Sequence, residues 1–385
     1  MFIQRQLAPL IKSQQTKFPV LAVTGPRQSG KTTLLKELFD DYRYVTLEDP
    51  NTRSFASDDP IGFLDQYDKM VILDEVQRVP ELFSFIQGRV DESKVMGQYI
   101  LSGSQNFHLL NSITQTLAGR VALFKLLPFD FTELKSNGLL ANTYTKAIIK
   151  GFYPAIFDRD IDQTIFYSNY VQTYIEKDVT ELMTFKDLKL FRTFLGLCAG
   201  RAGQLINLST LANECNISHT TAKSWLSVLE SSYLIFLLQP YYENFNKRLV
   251  KSPKLYFYDT GLLTYLLSIR TPAELEENRL KGHVFENMII AEYQKNNHHR
   301  YLHEEYYFWQ DSNAHEVDLL MKKGQGFSIF EVKATQTISS SLFKELDHFE
   351  AIASPAKVNK TLIYGGTENE KRTKYNVLSW QNILD

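Results

Sequence analysis

Gly25-Pro26-Arg27-Gln28-Ser29-Gly30-Lys31-Thr32 decides how the rest of this 385-residue chain is read. It satisfies G-x-x-x-x-G-K-[ST] in full, with apolar Pro19–Val23 before it and helix-like Thr32–Asp40 after it. Glycines let such a loop wrap with its N–H groups turned inward as an anion nest, and the following helix adds the positive end of its dipole. Gly25, Pro26, Arg27, Gln28, Ser29, Gly30, Lys31, Thr32 and Thr33 are therefore expected to line the phosphates of a nucleotide. Lys31 has the reach for the β- and γ-phosphates, and Thr32 has a hydroxyl for Mg2+, so ATP with Mg2+ is the expected pair. An ordinary glycine turn before a helix would not need eight agreeing positions and both flanks.

Strand-like and helix-like segments alternate around this loop. Arg43–Leu47, Met70–Leu73, Gln98–Leu101 and Val121–Leu127 read as strands, and Pro80–Val90 as a helix with proline at its start. That alternation implies an α/β fold, a parallel sheet covered on both faces. Val71-Ile72-Leu73-Asp74-Glu75 is an apolar strand ending in two acids. Asp74 is the candidate to hold Mg2+ through water, and Glu75 the candidate to polarise the attacking water. The strand Gln98–Leu101 leads into Ser102, Ser104 and Asn106, which can sense a γ-phosphate or simply form a polar loop. Arg120 precedes the fifth strand, where it serves as a transition-state finger, in cis or in a neighbour's site, or as a plain surface residue.

These residues resemble an AAA-superfamily P-loop ATPase of the prokaryotic family whose C-terminal half is a domain of unknown function. The resemblance rests on GPRQSGKTTL (25–34), LDEVQRVP (73–80), LSGS (101–104), LAGR (117–120), PFDFTE (128–133), GFYP (151–154), YIEKDV (174–179) and KLYFYDTGLL (254–263), and so spans nearly the whole chain. It implies ATP binding and Mg2+-dependent hydrolysis, with Lys31, Glu75 and Arg120 as catalytic candidates and Ser104 beside the nucleotide. It implies no particular substrate.

Residues 141–270 are expected to be a helical region carrying a winged helix at about 200–260. Leu208–Leu238 has helix-turn-helix spacing, with Ser209 and Ser218 as caps and Ala222, Trp225, Leu226 and Leu229 on the core face. Tyr233–Leu238 and Lys254–Tyr258 follow as a strand pair. The turn between them, Asn244–Lys254, carries Lys247, Arg248, Lys251 and Lys254 and no acid, which suits phosphate contact. The second helix offers only Lys223 and His219 towards a groove, so a structural role stands beside DNA contact.

Residues 271–385 collect carboxylates. Glu286 lies in helix-like His283–Tyr293, Asp318 in AHEVDLL (314–320), and Glu331 and Lys333 in E-x-K at the end of a strand, two apart and on one face. Asp318 and Glu331 suit Mg2+ as hard oxygen ligands, and Lys333 suits activation of water. The set resembles the restriction-endonuclease-type PD-(D/E)xK α/β fold, with Val317 where a proline often precedes the strand acid. That resemblance implies a nuclease centre with Glu286, Asp318, Glu331 and Lys333 as catalytic candidates. His298, His299 and His303 lack a helical metal spacing and read as loop residues, and His315 as a surface strand residue.

Composition narrows the alternatives. A chain with 44% hydrophobic and 22% charged residues excludes disordered and collagen-like classes. A net charge of −2 argues against broad electrostatic binding to nucleic acid and leaves only local patches. Two cysteines build neither a disulfide framework nor a cysteine zinc site and suit the cytoplasm. The longest apolar run, Tyr233–Leu238, is far too short to span a membrane, and the N-terminal residues lack a secretion signal. An ATPase acting on or with DNA or RNA, an ATP-regulated nuclease, and an ATP-switched module that docks a protein partner or a second copy all remain open.

Overall fold

The computed structural model describes residues 3–104, 116–175, 188–242 and 250–384. The chain divides into two compact units. One is Met1–Phe129 with Ser231–Tyr233 and His298–Tyr301; the other is Asp130–Glu230, Leu234–Asn297 and Leu302–Asp385.

In the first unit, β1 (Val20–Thr24), β2 (Arg43–Thr46), β3 (Val71–Asp74), β4 (Tyr99–Gly103) and β5 (Val121–Lys125) form a sheet in the order β2-β3-β4-β1-β5, every pair parallel. The near-continuous apolar strands follow from burial on both faces. Alternation sorts their side chains: Val20, Ala22, Val71, Leu73, Tyr99 and Leu101 join one core. Leu21, Val23, Ile72, Ile100, Ala122 and Phe124 join the other. Parallel register sets Val23 beside Ser102 and Ser102 beside Asp74, so the chain leaves β1, β4 and β3 along one sheet edge. The loop after β1 and the acids after β3 therefore converge there.

In the second unit, β6 (Gln204–Leu205), β7 (Ile235–Pro240), β8 (Lys254–Phe257), β9 (Tyr306–Gln310), β10 (Glu316–Lys323), β11 (Gly326–Lys333), β12 (Val358–Tyr364), β13 (Glu370–Lys371) and β14 (Asn376–Ser379) join one sheet. Its order is β13-β14-β12-β11-β10-β9-β7-β8-β6. Helices Leu188–Ala199, Leu208–Glu214 and His219–Ser231 precede the β7–β8 hairpin. Helix Lys281–His299 precedes the antiparallel run β9-β10-β11, and helix Lys344–Ala353 crosses to β12, parallel to β11. The boundary expected near 270 is bridged by this sheet, because β7 pairs in parallel with β9 through Gln239 and Pro240. The boundary expected near 140 falls after the break between units at Phe129.

Local departures have local causes. The strand read from Tyr233 begins at Ile235, since Tyr233 sits at φ +57°, outside strand geometry. Asn207, not Ser209, caps Leu208–Glu214, accepting from the Thr210 N–H at 3.0 Å, whereas Ser218 accepts from Thr221 N–H as read. In the expected helical region, helix Gln163–Tyr170 is followed by a wider π turn, Val171–Ile175, and residues 176–187 lie outside the described residues. The rings explain the 13% aromatic content. Trp225 meets Phe191 and Phe194 edge-on, and Trp309 and Phe327 both meet Phe349, all inside buried cores.

Candidate active site

The phosphate loop is built by close approach. Gly25 has φ +152°, and a Cβ there would lie 2.0 Å from the Leu126 carbonyl oxygen, so only glycine fits. Gly30, at φ +91°, opens helix Lys31–Leu38. Lys31 folds back over the loop and donates to the carbonyls of Gly25 (3.0 Å) and Pro26 (2.9 Å). The Ser29 hydroxyl is buried without a partner among the described residues. Arg5, from the chain start, locks the loop from behind, donating to Ser29 O at 2.8 Å and Leu127 O at 2.6 Å while stacking on Phe129. No sequence motif marks Arg5; its partners lie far away in the chain.

The acids meet the loop as the register requires. Asp74 Oδ2 accepts from the Thr32 hydroxyl at 3.0 Å and the Tyr44 hydroxyl at 2.6 Å. Its Oδ1 accepts from the Ser102 hydroxyl and, at 3.2 Å, from the Glu75 N–H. Burial and the Asp74 hydrogen bond raise the Tyr44 phenol well above its ordinary value, so it stays a donor. Glu75 sits in the left-handed region at φ +56°, which turns its carboxylate out of the strand. Ser104 Oγ (3.1 Å) and Gln77 Nε2 (2.5 Å) both donate to Glu75 Oε2. Thr32 and Asp74 are a converging hard-oxygen pair of the kind Mg2+ takes, so the residues present fit that ion. Tyr44 and Gln77 went unread, although both stand inside segments read for other reasons.

Arg120 is not brought to this cluster. The register Val20 with Val121 and Thr24 with Lys125 puts it at the start of β5, the sheet end opposite the loop. There its Nε and Nη2, along one edge of the guanidinium, donate to the two Asp91 carboxylate oxygens (2.5 and 2.8 Å). Parallel strands carry their starts together, which is why a residue before β5 cannot lie beside a loop after β1. Asn106 lies outside the described residues.

A second polar cluster occupies the other unit. Helix Lys281–His299 supplies Glu286, β10 supplies Glu316 and Asp318 on one face, and β11 supplies Glu331 and Lys333. Oxygens of Glu286, Glu316 and Asp318 lie within 4.8 Å of one another. Asp318 Oδ2 accepts from Val332 N–H at 2.7 Å and lies 3.6 Å from Lys333 Nζ. Glu331 departs from the metal pair expected with Asp318: its Oε1 faces Lys333 Nζ at 2.5 Å, and its Oε2 is buried without a hydrogen-bond partner among the described residues. Burial, then the Asp318 charge, push the Glu331 carboxyl well above the ordinary range; burial does the same to Glu316.

Lys254 overturns another expectation. Read as a surface cation of the turn, it is 3% exposed and points into the carboxylates, 3.1 Å from Glu286 Oε1 and 2.5 Å from Glu316 Oε1. Burial alone would lower its pKa; Glu286, Glu316 and Asp318 hold it above the ordinary lysine value. A cation already stands among these oxygens, so the residues present do not fit a divalent metal. Lys251 is exposed, and Lys247 and Arg248 lie outside the described residues.

The other quoted motifs are joints. In PFDFTE, Asp130 and Glu133 form a reciprocal capping box, and the buried Glu292 accepts from Phe131 N–H at 2.7 Å. In GFYP and YDTGLL, the Phe152 N–H donates to Asp259, which also caps helix Thr260–Leu266. Of YIEKDV, residues 176–179 lie outside the described residues. His299 is no loop residue: it ends helix Lys281–His299, buried, and its Nε2 accepts from Leu127 N–H at 3.1 Å. His315 is half-buried, stacked on His348 and paired with Glu345.

Residues 17–135 match the family described as AAA domain, and residues 141–273 and 281–383 match two families described as domains of unknown function (DUF8612 and DUF4143). An uncharacterised protein of Mycobacterium tuberculosis is 28% identical over 342 residues, 88% of this chain and 75% of that one. An uncharacterised protein of Methanocaldococcus jannaschii is 24% identical over 307 residues, 66% of this chain and 63% of that one. Among solved structures, the Walker-type ATPase of Pyrococcus abyssi is similar at 13% identity and a TM-score of 0.46, over 69% of this chain and 96% of that one. Residues 17–135 thus match an AAA domain, and the two stretches after it match domains of unknown function. No helix among the described residues is long and apolar enough to cross a membrane.

Proposed function

We propose that this protein binds ATP with Mg2+ and hydrolyses it, acting on or with nucleic acid through its C-terminal half. The observation that carries the reading is the meeting of Thr32, Asp74 and Glu75 beside a glycine loop that admits no side chain at Gly25. Lys31 exchanges the Gly25 and Pro26 carbonyls for phosphate oxygens when nucleotide enters. Thr32 and Asp74 would hold Mg2+, which neutralises charge developing on the phosphates. Glu75, oriented by Ser104 and Gln77, takes the proton of the attacking water as its oxygen bonds to the γ-phosphorus and the bond to the β-γ bridging oxygen breaks. Arg120, at the sheet end away from the loop, serves a second copy of the chain.

For the C-terminal half, support is topological. Helix, short strand, two helices and a hairpin, Leu188–Phe257, follow winged-helix order, and the run from Lys281 to Tyr364 follows the order of a PD-(D/E)xK core. Two buried free cysteines suit the cytoplasm. The second reading, an ATP-switched module whose nuclease-like region is inactive and docks a protein, is favoured by Lys254 among the carboxylates. ATP turnover measured alone and with single- and double-stranded DNA and RNA tests both. Stimulation that falls steeply with salt supports nucleic acid; undiminished turnover in Lys31→Ala contradicts the ATPase assignment, and no response to any nucleic acid favours the docking module.

A further inference from the structure

The carboxylates of the second unit converge on an ammonium. Lys254 is the first residue of β8, and the strand that carries it is held rigidly. Antiparallel pairing joins Leu238 to Lys254 and Leu237 to Leu255. Opposite them, Asn287 closes the strand with two hydrogen bonds, donating to Phe257 O and accepting from Phe257 N–H, both at 2.8 Å. Tyr256, two residues on and therefore on the same face, donates to Glu286 Oε1 at 2.6 Å, the oxygen that Lys254 also reaches at 3.1 Å. Glu316 is fixed as well, its Oε1 on Lys254 and its Oε2 accepting from Gln310 at 2.8 Å. Two of the three carboxylates, Glu286 and Glu316, thus meet Lys254 Nζ.

We propose that Lys254 is the resident cation of the Glu286–Glu316–Asp318 set, and that this site takes no divalent metal in the intact protein. An ammonium offers three donors and one charge, matched by carboxylates at hydrogen-bond distance. A divalent ion needs several oxygens at about 2.0–2.6 Å, and among these same side chains it would stand against the like charge of Lys254. The E-x-K pair, Glu331 and Lys333, then lies beside a lysine-filled centre rather than a metal, and the cluster ties helix Lys281–His299 and β10 to the hairpin strand β8. This assignment stands whether or not ATP is turned over.

Removal of the ammonium is expected to leave three facing carboxylates that a metal can share. Mn2+ uptake by the full-length, nucleotide-free protein, followed by the loss of the free-ion paramagnetic signal, tests this. Wild-type protein and Asp318→Asn are expected to bind Mn2+ equally, because the site contributes nothing. Lys254→Met is expected to gain one Mn2+ per chain and to lose it again in Lys254→Met/Asp318→Asn, while Lys254→Arg gains none. Wild-type Mn2+ binding that disappears in Asp318→Asn overturns the proposal, and so does a folded Lys254→Met that gains nothing. Should Lys254→Met fail to fold, the wild-type comparison with Asp318→Asn decides alone.

Discussion

Arg5 shows what one unremarked side chain does to a motif. Its guanidinium spans Ser29 O and Leu127 O, two carbonyls far apart in the chain. Arg5→Ala should therefore cost about 2–4 kcal/mol in urea unfolding, for two buried charge-assisted hydrogen bonds, and weaken ATP affinity in the same protein. Arg5→Lys should rescue little, since a single ammonium does not reproduce a planar fork. The phosphate loop, Asp74 and Glu75 were legible because their chemistry is local: glycines at fixed offsets, acids at the end of an apolar run. Arg5, Tyr44 and Lys254 were not, because each acts on partners distant in sequence, at spacings no pattern encodes. Lys254 was misread because a basic stretch looks solvated until a sheet closes over it.

Strands and helices were read within a few residues wherever apolar alternation was strong, and the family motifs marked real joints between them. The sharpest joint lies around Tyr167. A Cβ at Gly261 would stand 2.3 Å from its hydroxyl oxygen and 2.5 Å from ring carbons, and one at Gly151 would stand 1.9 Å from the same oxygen. Gly261→Ala should destabilise the second unit by about 1–3 kcal/mol, as overpacking of a closed core does, read as a lower thermal midpoint. Helix Lys281–His299 gives a pH effect of definite sign. Burial, opposed by Lys295, pushes Glu292 from 4.5 up to about 8. The folded state then binds a proton that the unfolded state has released, so stability from this group is full below the ordinary value and declines as pH rises to about 8. Glu292→Gln should flatten the fall in stability across that window, measured by urea unfolding at stepped pH.

Domain organisation was the least legible level. Composition placed a boundary near 270, and two family matches part between 273 and 281, yet one nine-stranded sheet runs across that point through β7 and β9. A short parallel pairing of two residues leaves no trace in hydrophobic periodicity. The same sheet brings Lys254 to the carboxylates of Glu286 and Glu316. The proposed ATP turnover rests on the first unit, where loop, Thr32, Asp74 and Glu75 converge at one sheet edge. The direct test is steady-state ATP turnover with Mg2+ by wild-type protein beside Glu75→Gln, with ATP binding measured on both. The account predicts turnover by the wild type, binding retained in Glu75→Gln, and turnover in that variant lowered by about a hundredfold or more, the contribution of a positioned base. Equal turnover in the two proteins, or a wild type that neither binds nor hydrolyses ATP, would contradict it.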